Sequence, residues 1–128
     1  MQTYTININH NGIRKEAYII KDEENIIFIL DDIRIEENDV FPFRALQSLR
    51  KTLEQKNIYL LINGSRKDVY PGGMLLHSEY AYKLIIGKHN NDEDKLHIFS
   101  NTKYEELISS VEDQNKFHEI WGESILKG

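Results

Sequence analysis

The chain contains no cysteine in 128 residues. That removes disulfide bonds, thiolate zinc sites and thiol nucleophiles together. It agrees with a reducing compartment, so a cytoplasmic location is expected. Long apolar runs are also missing. A stretch such as Ile26 to Leu30 is a strand's length, far short of the ~20 residues that a bilayer-spanning helix needs. No membrane association is expected, and Met1-Gln2-Thr3-Tyr4-Thr5 shows neither the basic nor the apolar region of a secretory signal. Positive charge is in deficit: 16 lysines and arginines face 21 acidic residues, a net charge of −5. Nucleic acid is therefore an unfavoured partner, since neutralising phosphate is the main source of nonspecific affinity. A basic protein partner suits the balance better.

Signatures of catalysis and of metal binding are missing too. There is no Gly-x-x-x-x-Gly-Lys-Ser/Thr phosphate loop, no dinucleotide fingerprint and no Gly-x-Ser-x-Gly elbow. His10, His77, His89, His97 and His118 form no His-x-x-x-His pair. The run Asn90 to Asp94 lacks calcium-loop spacing and reads as a solvated hairpin tip. No catalytic residue, metal or cofactor is expected. No repeat, low-complexity tract or linker divides the chain, so residues 1–128 read as one domain.

What is present is alternation. Tyr4, Ile6 and Ile8 share one face of a strand over Thr3 to Asn9, and Asn11-Gly12 signals a tight hairpin into a second strand, Ile13 to Ile20. Ile26 to Leu30 is nearly all apolar and predicts a central strand covered on both faces, extended by Asp31 to Glu36. Pro42 suits the first turn of a helix, Asp39 could cap it, and Ala45, Leu46, Leu49 and Leu53 make its apolar stripe. Asn57 ends it, and Ile58 to Ile62 is a buried strand. Tyr80 to Ile86 and Leu96 to Phe99 read as further strands of the same sheet. A helix is expected from about Lys103 through Tyr104, Leu107, Ile108 and Val111. A second segment, begun by Ser110 or Asp113, carries Phe117, Ile120 and Trp121 on its apolar side. The class is α+β: a mostly antiparallel sheet of about five to seven strands, packed by a central helix and C-terminal helices.

The unusual stretch is Asn63-Gly64-Ser65-Arg66-Lys67-Asp68-Val69-Tyr70-Pro71-Gly72-Gly73-Met74. Two readings stand side by side. As a connector, it turns at Asn63-Gly64 and Pro71-Gly72. As a binding surface, Arg66, Lys67 and Asp68 supply charge, and Tyr70 beside them is the kind of aromatic that anchors interfaces. A small-ligand sensor or enzyme would instead need His77, Asp68 and Arg66 around a shared cleft. The acidic turns at Asp22-Glu23-Glu24, Asp31-Asp32 and Glu36-Glu37 form a second candidate face for a basic partner.

Ala45-Leu46-x-x-Leu49-Arg50-x-x-Leu53-Glu54, the Asn63 to Met74 stretch, Ala81-Tyr82, Ile98-Phe99 and Val111-x-x-Gln114-x-x-Phe117-x-x-x-Trp121 together resemble a group of small bacterial proteins. The likeness covers most of the chain from about residue 41. Its specific part is Asn-Gly-x-x-x-Asp-Val-x-Pro-x-Gly-Met. The group often carries Ser where Gly72 stands, and glycines where this chain has Glu79-Tyr80. Small acidic α+β proteins of this kind are similar in character to bacterial immunity proteins, which bind and occlude a cognate toxin. The expectation is a protein-binding module of that type, with Arg66, Lys67, Asp68 and Tyr70 at its contact surface.

Overall fold

A computed structural model gives the fold and describes residues 1–127. Strand β1 (Gln2–His10) turns at Asn11 (φ 54°) and Gly12 (φ 85°) into β2 (Ile13–Asp22). Both turn residues hold the left-handed conformation that a two-residue hairpin requires. Glu23 (φ 54°) turns the chain into β3 (Asn25–Leu30), and Asp31 (φ 52°) turns it into β4 (Ile33–Asn38). Asp31 to Glu36 thus folds back beside β3 instead of lengthening it. Aspartate can enter the left-handed region at modest cost, which lets Asp31-Asp32 act as a hairpin loop without glycine.

Helix α1 (Pro42–Glu54) follows, with Pro42 in its first turn. Asp39 accepts from the Phe41 N–H at 2.8 Å, just ahead of the helix, rather than capping it from within. Asn57 (φ 56°) closes the exit, and β5 (Ile58–Leu60) pairs with β1. The antiparallel sheet has the order β4-β3-β2-β1-β5. Ile6, Ile8, Ala17, Ile19, Ile26 and Phe28 lie on its inner face and form one core with Phe43, Leu46, Leu49 and Leu53 of α1. The expectation of a β3 covered on both faces is corrected: its residues are buried alternately, and Ile27 and Ile29 sit half-exposed on the outer face.

The remaining strands form a second sheet instead of joining the first. Strands β6 (Val69–Tyr70), β7 (Tyr80–Lys83) and β8 (Lys95–His97) pair antiparallel in the order β6-β7-β8. Strand β7 ends at Lys83; one further bond in the same register, Leu84 N–H to Asp68 O at 2.6 Å, follows before Gly87 (φ 83°) turns the chain. The helix expected from Lys103 is a single 3-10 turn, Glu105–Leu107. Its backbone is used elsewhere: Lys67 N–H donates to Leu107 O, Ser109 N–H donates to Ser65 O, and Arg66 bridges to Ile108. Helix α2 (Val111–Leu126) then begins at Ser110, whose hydroxyl accepts from the Asp113 N–H at 3.1 Å. The result is an α+β fold. Among the described residues, no helix is long and apolar enough to cross a membrane.

Candidate functional site

The Asn63 to Tyr70 stretch is held from beneath by two polar side chains with almost no exposure. Arg50 of α1 donates to Gly64 O (3.2 Å), Ser109 O (2.8 Å) and Gln114 Oε1 (2.6 Å). Gln114 of α2 directs its amide nitrogen at Gly64 O, Arg66 O and Val69 O, at 2.9, 2.9 and 3.0 Å. Its oxygen also accepts from Gln47 at 3.0 Å. Burial pulls the Arg50 guanidinium down to about 10, with Glu54 opposing, so it stays charged at neutral pH. Gly64 lies so close to α1 that an added Cβ would stand 2.5 Å from Leu46 Cδ2 and 2.9 Å from Ile98 O. Both helices and the loop are therefore one interlocked unit.

This arrangement distributes the four candidate contact residues unequally. Arg66 is 4 % exposed and its guanidinium is committed to Asp68 through two parallel bonds of 2.9 and 2.8 Å. It also lies 5.3 Å over the Tyr104 ring. A bidentate pair of this kind satisfies both partners and leaves neither cation nor carboxylate open. Lys67 is exposed, with its ammonium 5.7 Å over Phe117. Tyr70 is half-buried and lines a cleft that Arg66 does not reach. His77 is packed edge-on against Phe41, and the cleft that Arg66 lines does not include it. The three groups of the ligand-sensor reading are thus not brought together.

The cleft beside Tyr70 measures about 440 Å³. Phe43 and Arg44 from the start of α1, Pro71 to Gly73 from the loop, and His118 and Trp121 from α2 line it. Its wall is an aromatic stack. The Tyr70 and His118 rings lie 3.8 Å apart at 7°, His118 and Trp121 lie 5.8 Å apart at 19°, and Phe43 meets Tyr70 edge-on at 4.9 Å. Trp121 is fixed by donating its indole N–H to Lys88 O at 2.9 Å. Burial raises the Tyr70 phenol, against the pull of Arg44, and lowers the His118 imidazole, so both rings stay neutral near pH 7. Arg44 is the exposed cation at the rim.

A second polar cluster ties the two sheets together. Tyr4 Oη of β1 lies 2.5 Å from Glu79 Oε1, the same oxygen lies 3.2 Å from His97 Nε2, and Lys21 approaches Oε2 at 3.8 Å. Burial and the bond to Glu79 push the Tyr4 phenol well above its ordinary range. His97 is packed among Tyr4, Tyr80 and Phe99.

Sequence reasoning named Tyr70 but not the surface it belongs to. It placed Trp121 on the apolar side of the last helix and gave His118 no role beyond the absence of a metal-binding pair. Their i, i+3 spacing does place both on one face of α2, which was the available signal. Phe43 and Arg44 give no local sign of a cleft. No family model matches the chain, and no curated protein matches it either.

Proposed function

We propose that this chain is a cytoplasmic protein-binding module that acts as an immunity protein does, neutralising a toxic bacterial partner by binding and covering it. The observation that carries this reading is the cleft beside Tyr70. Aromatic residues dominate the binding energy of protein interfaces when they stand in preformed pockets. Here Tyr70, His118 and Trp121 are already stacked with Phe43 edge-on against Tyr70, and the buried Arg50 and Gln114 hold the loop that shapes the opening. Little ordering entropy remains to be lost on binding. The partner would insert an apolar side chain and set an acidic group against Arg44 at the rim, while the net charge of −5 favours a partner that is basic overall. Lys67 and Tyr70 remain the contact residues of this reading; Arg66 and Asp68 support them from within. No catalytic residue is assigned.

Gly73 is the position at which to test it. It lines the cleft, and a Cβ built there meets nothing within 4 Å. Gly73→Trp should block the opening without unfolding the chain. Co-expressed with a toxin encoded beside its gene, the wild type should preserve growth and the variant should not, at equal thermal stability. Equal protection by both would remove the cleft from the account.

One observation favours a second reading, a small-ligand sensor. The cleft volume lies within the ~300–1,000 Å³ typical of small-molecule sites. A metabolite that raises the melting temperature of the wild type, but not of Gly73→Trp, would support that reading instead.

A further inference from the structure

We propose that the free edge of β4 pairs with β4 of a second copy of this chain, joining two five-stranded sheets into one. The inference is independent of the cleft. Strand β4 is the terminal strand of its sheet, and among the described residues none pairs with its far side. The backbone direction along it is fixed by one bond, Asp39 N–H to Glu24 O at 3.1 Å. In an antiparallel ladder alternate residues bond to the same neighbour. Ile33, Ile35 and Glu37 therefore bond to β3, as Asp39 does. The N–H and C=O groups of Arg34, Glu36 and Asn38 point away from the sheet.

Edges of this kind are usually protected by proline, a bulge or charge. Strand β4 has no proline, and its register with β3 runs unbroken from Leu30–Ile33 to Asn25–Asn38. Charge remains, and the register decides whether it repels. A two-fold axis perpendicular to the sheet makes the strands antiparallel and keeps like faces together. One such register sets Arg34 opposite Arg34 of the second copy, and another sets Glu36 opposite Glu36. The register between them sets Arg34 opposite Glu36 on both sides of the axis and Ile35 opposite Ile35 on it. It matches charge, and it also uses the outward-pointing backbone groups, so each Arg34–Glu36 pair exchanges two hydrogen bonds. Ile33 and Ile35 are half-exposed at the rim of the core, packed against it from within. Pairing brings the two Ile35 side chains together across the axis and sets Ile33 against the aliphatic stem of Glu37 of the second copy. The side chains are ready for it: Arg34 and Glu36 are both exposed and already lie 3.8 Å apart on the same face.

The test is sedimentation velocity of the full chain from low micromolar to near millimolar concentration, at low salt, with three variants. The wild type should show a monomer–dimer equilibrium. Arg34→Glu and Glu36→Arg each set like charges opposite one another twice and should weaken it at least about tenfold. The double variant Arg34→Glu/Glu36→Arg restores opposite charges in the same register and should recover the dimer. Neither residue is buried, so circular dichroism should show all four proteins folded. Slowed amide exchange at Arg34 and Glu36 with rising concentration would place the contact on this edge. A wild type that stays monomeric throughout overturns the proposal. So does a dimer insensitive to the single reversals, or one that the double reversal fails to restore.

Discussion

Gln114 shows what a single side chain contributes here. It is fully buried, and its amide meets Arg50, Gln47 and three carbonyls of the Gly64 to Val69 stretch. Gln114→Leu would leave those carbonyls and the Arg50 guanidinium short of a partner. Each orphaned buried group costs ~1–3 kcal/mol, so a loss of about 3 kcal/mol or more is expected in urea denaturation. None of this is visible locally. The sequence shows two cations in a turn-rich loop, and such residues are normally exposed. Arg66 is buried because Gln114, 48 positions along the chain, takes up its carbonyl, and because Asp68 neutralises it. His118 yields a pH prediction. Burial holds its imidazole below the ordinary 6.5, with Glu119 opposing more weakly. The fold thus prefers the neutral ring. The stability it contributes is complete above about pH 6.5 and falls as pH drops through the lower folded-state value, because the unfolded chain takes up the proton more readily. His118→Phe keeps an aromatic ring in the stack and cannot titrate. Its stability should fall less steeply below that pH than the wild type's, measured by denaturation across a pH series.

Among the elements, those governed by neighbouring residues were legible. Alternation and Asn11-Gly12 specify the first hairpin, and Pro42 and Asn57 bracket α1 as expected. Elements whose backbone bonds go to distant residues were not. Tyr104, Leu107 and Ile108 have helical spacing, yet their segment supplies bonds to Ser65 and Lys67 and makes one 3-10 turn. Ile120, expected on the apolar side of α2, is 57 % exposed, since α2 turns His118 and Trp121 toward the cleft instead. Two substitutions test how the elements are joined. Gly64→Ala forces a methyl against Leu46 and the Ile98 carbonyl and should cost about 2 kcal/mol or more by the same denaturation measurement. Ser110→Ala removes the cap of α2 and should cost about 1 kcal/mol.

The whole molecule divides its labour between its two sheets. The five-stranded sheet and α1 supply the core, and the outer face of that sheet stays half-exposed. The smaller sheet carries Tyr70 out of the loop to meet α2, and the cleft forms where loop, α1 and α2 converge. The α+β class was readable from hairpin signals. The division into two sheets was not, because it depends on which strand edges meet. The cleft was hidden for the same reason: its walls come from three separate parts of the chain. If that cleft is the docking surface, position 73 at its rim should touch the partner, and Glu16 on the exposed sheet should not. The most direct measurement is crosslinking in the native host from a photoreactive amino acid placed at 73 and, separately, at 16. The account predicts one discrete protein adduct from position 73 and none from position 16. An adduct from position 16 alone, or none from position 73, would contradict it.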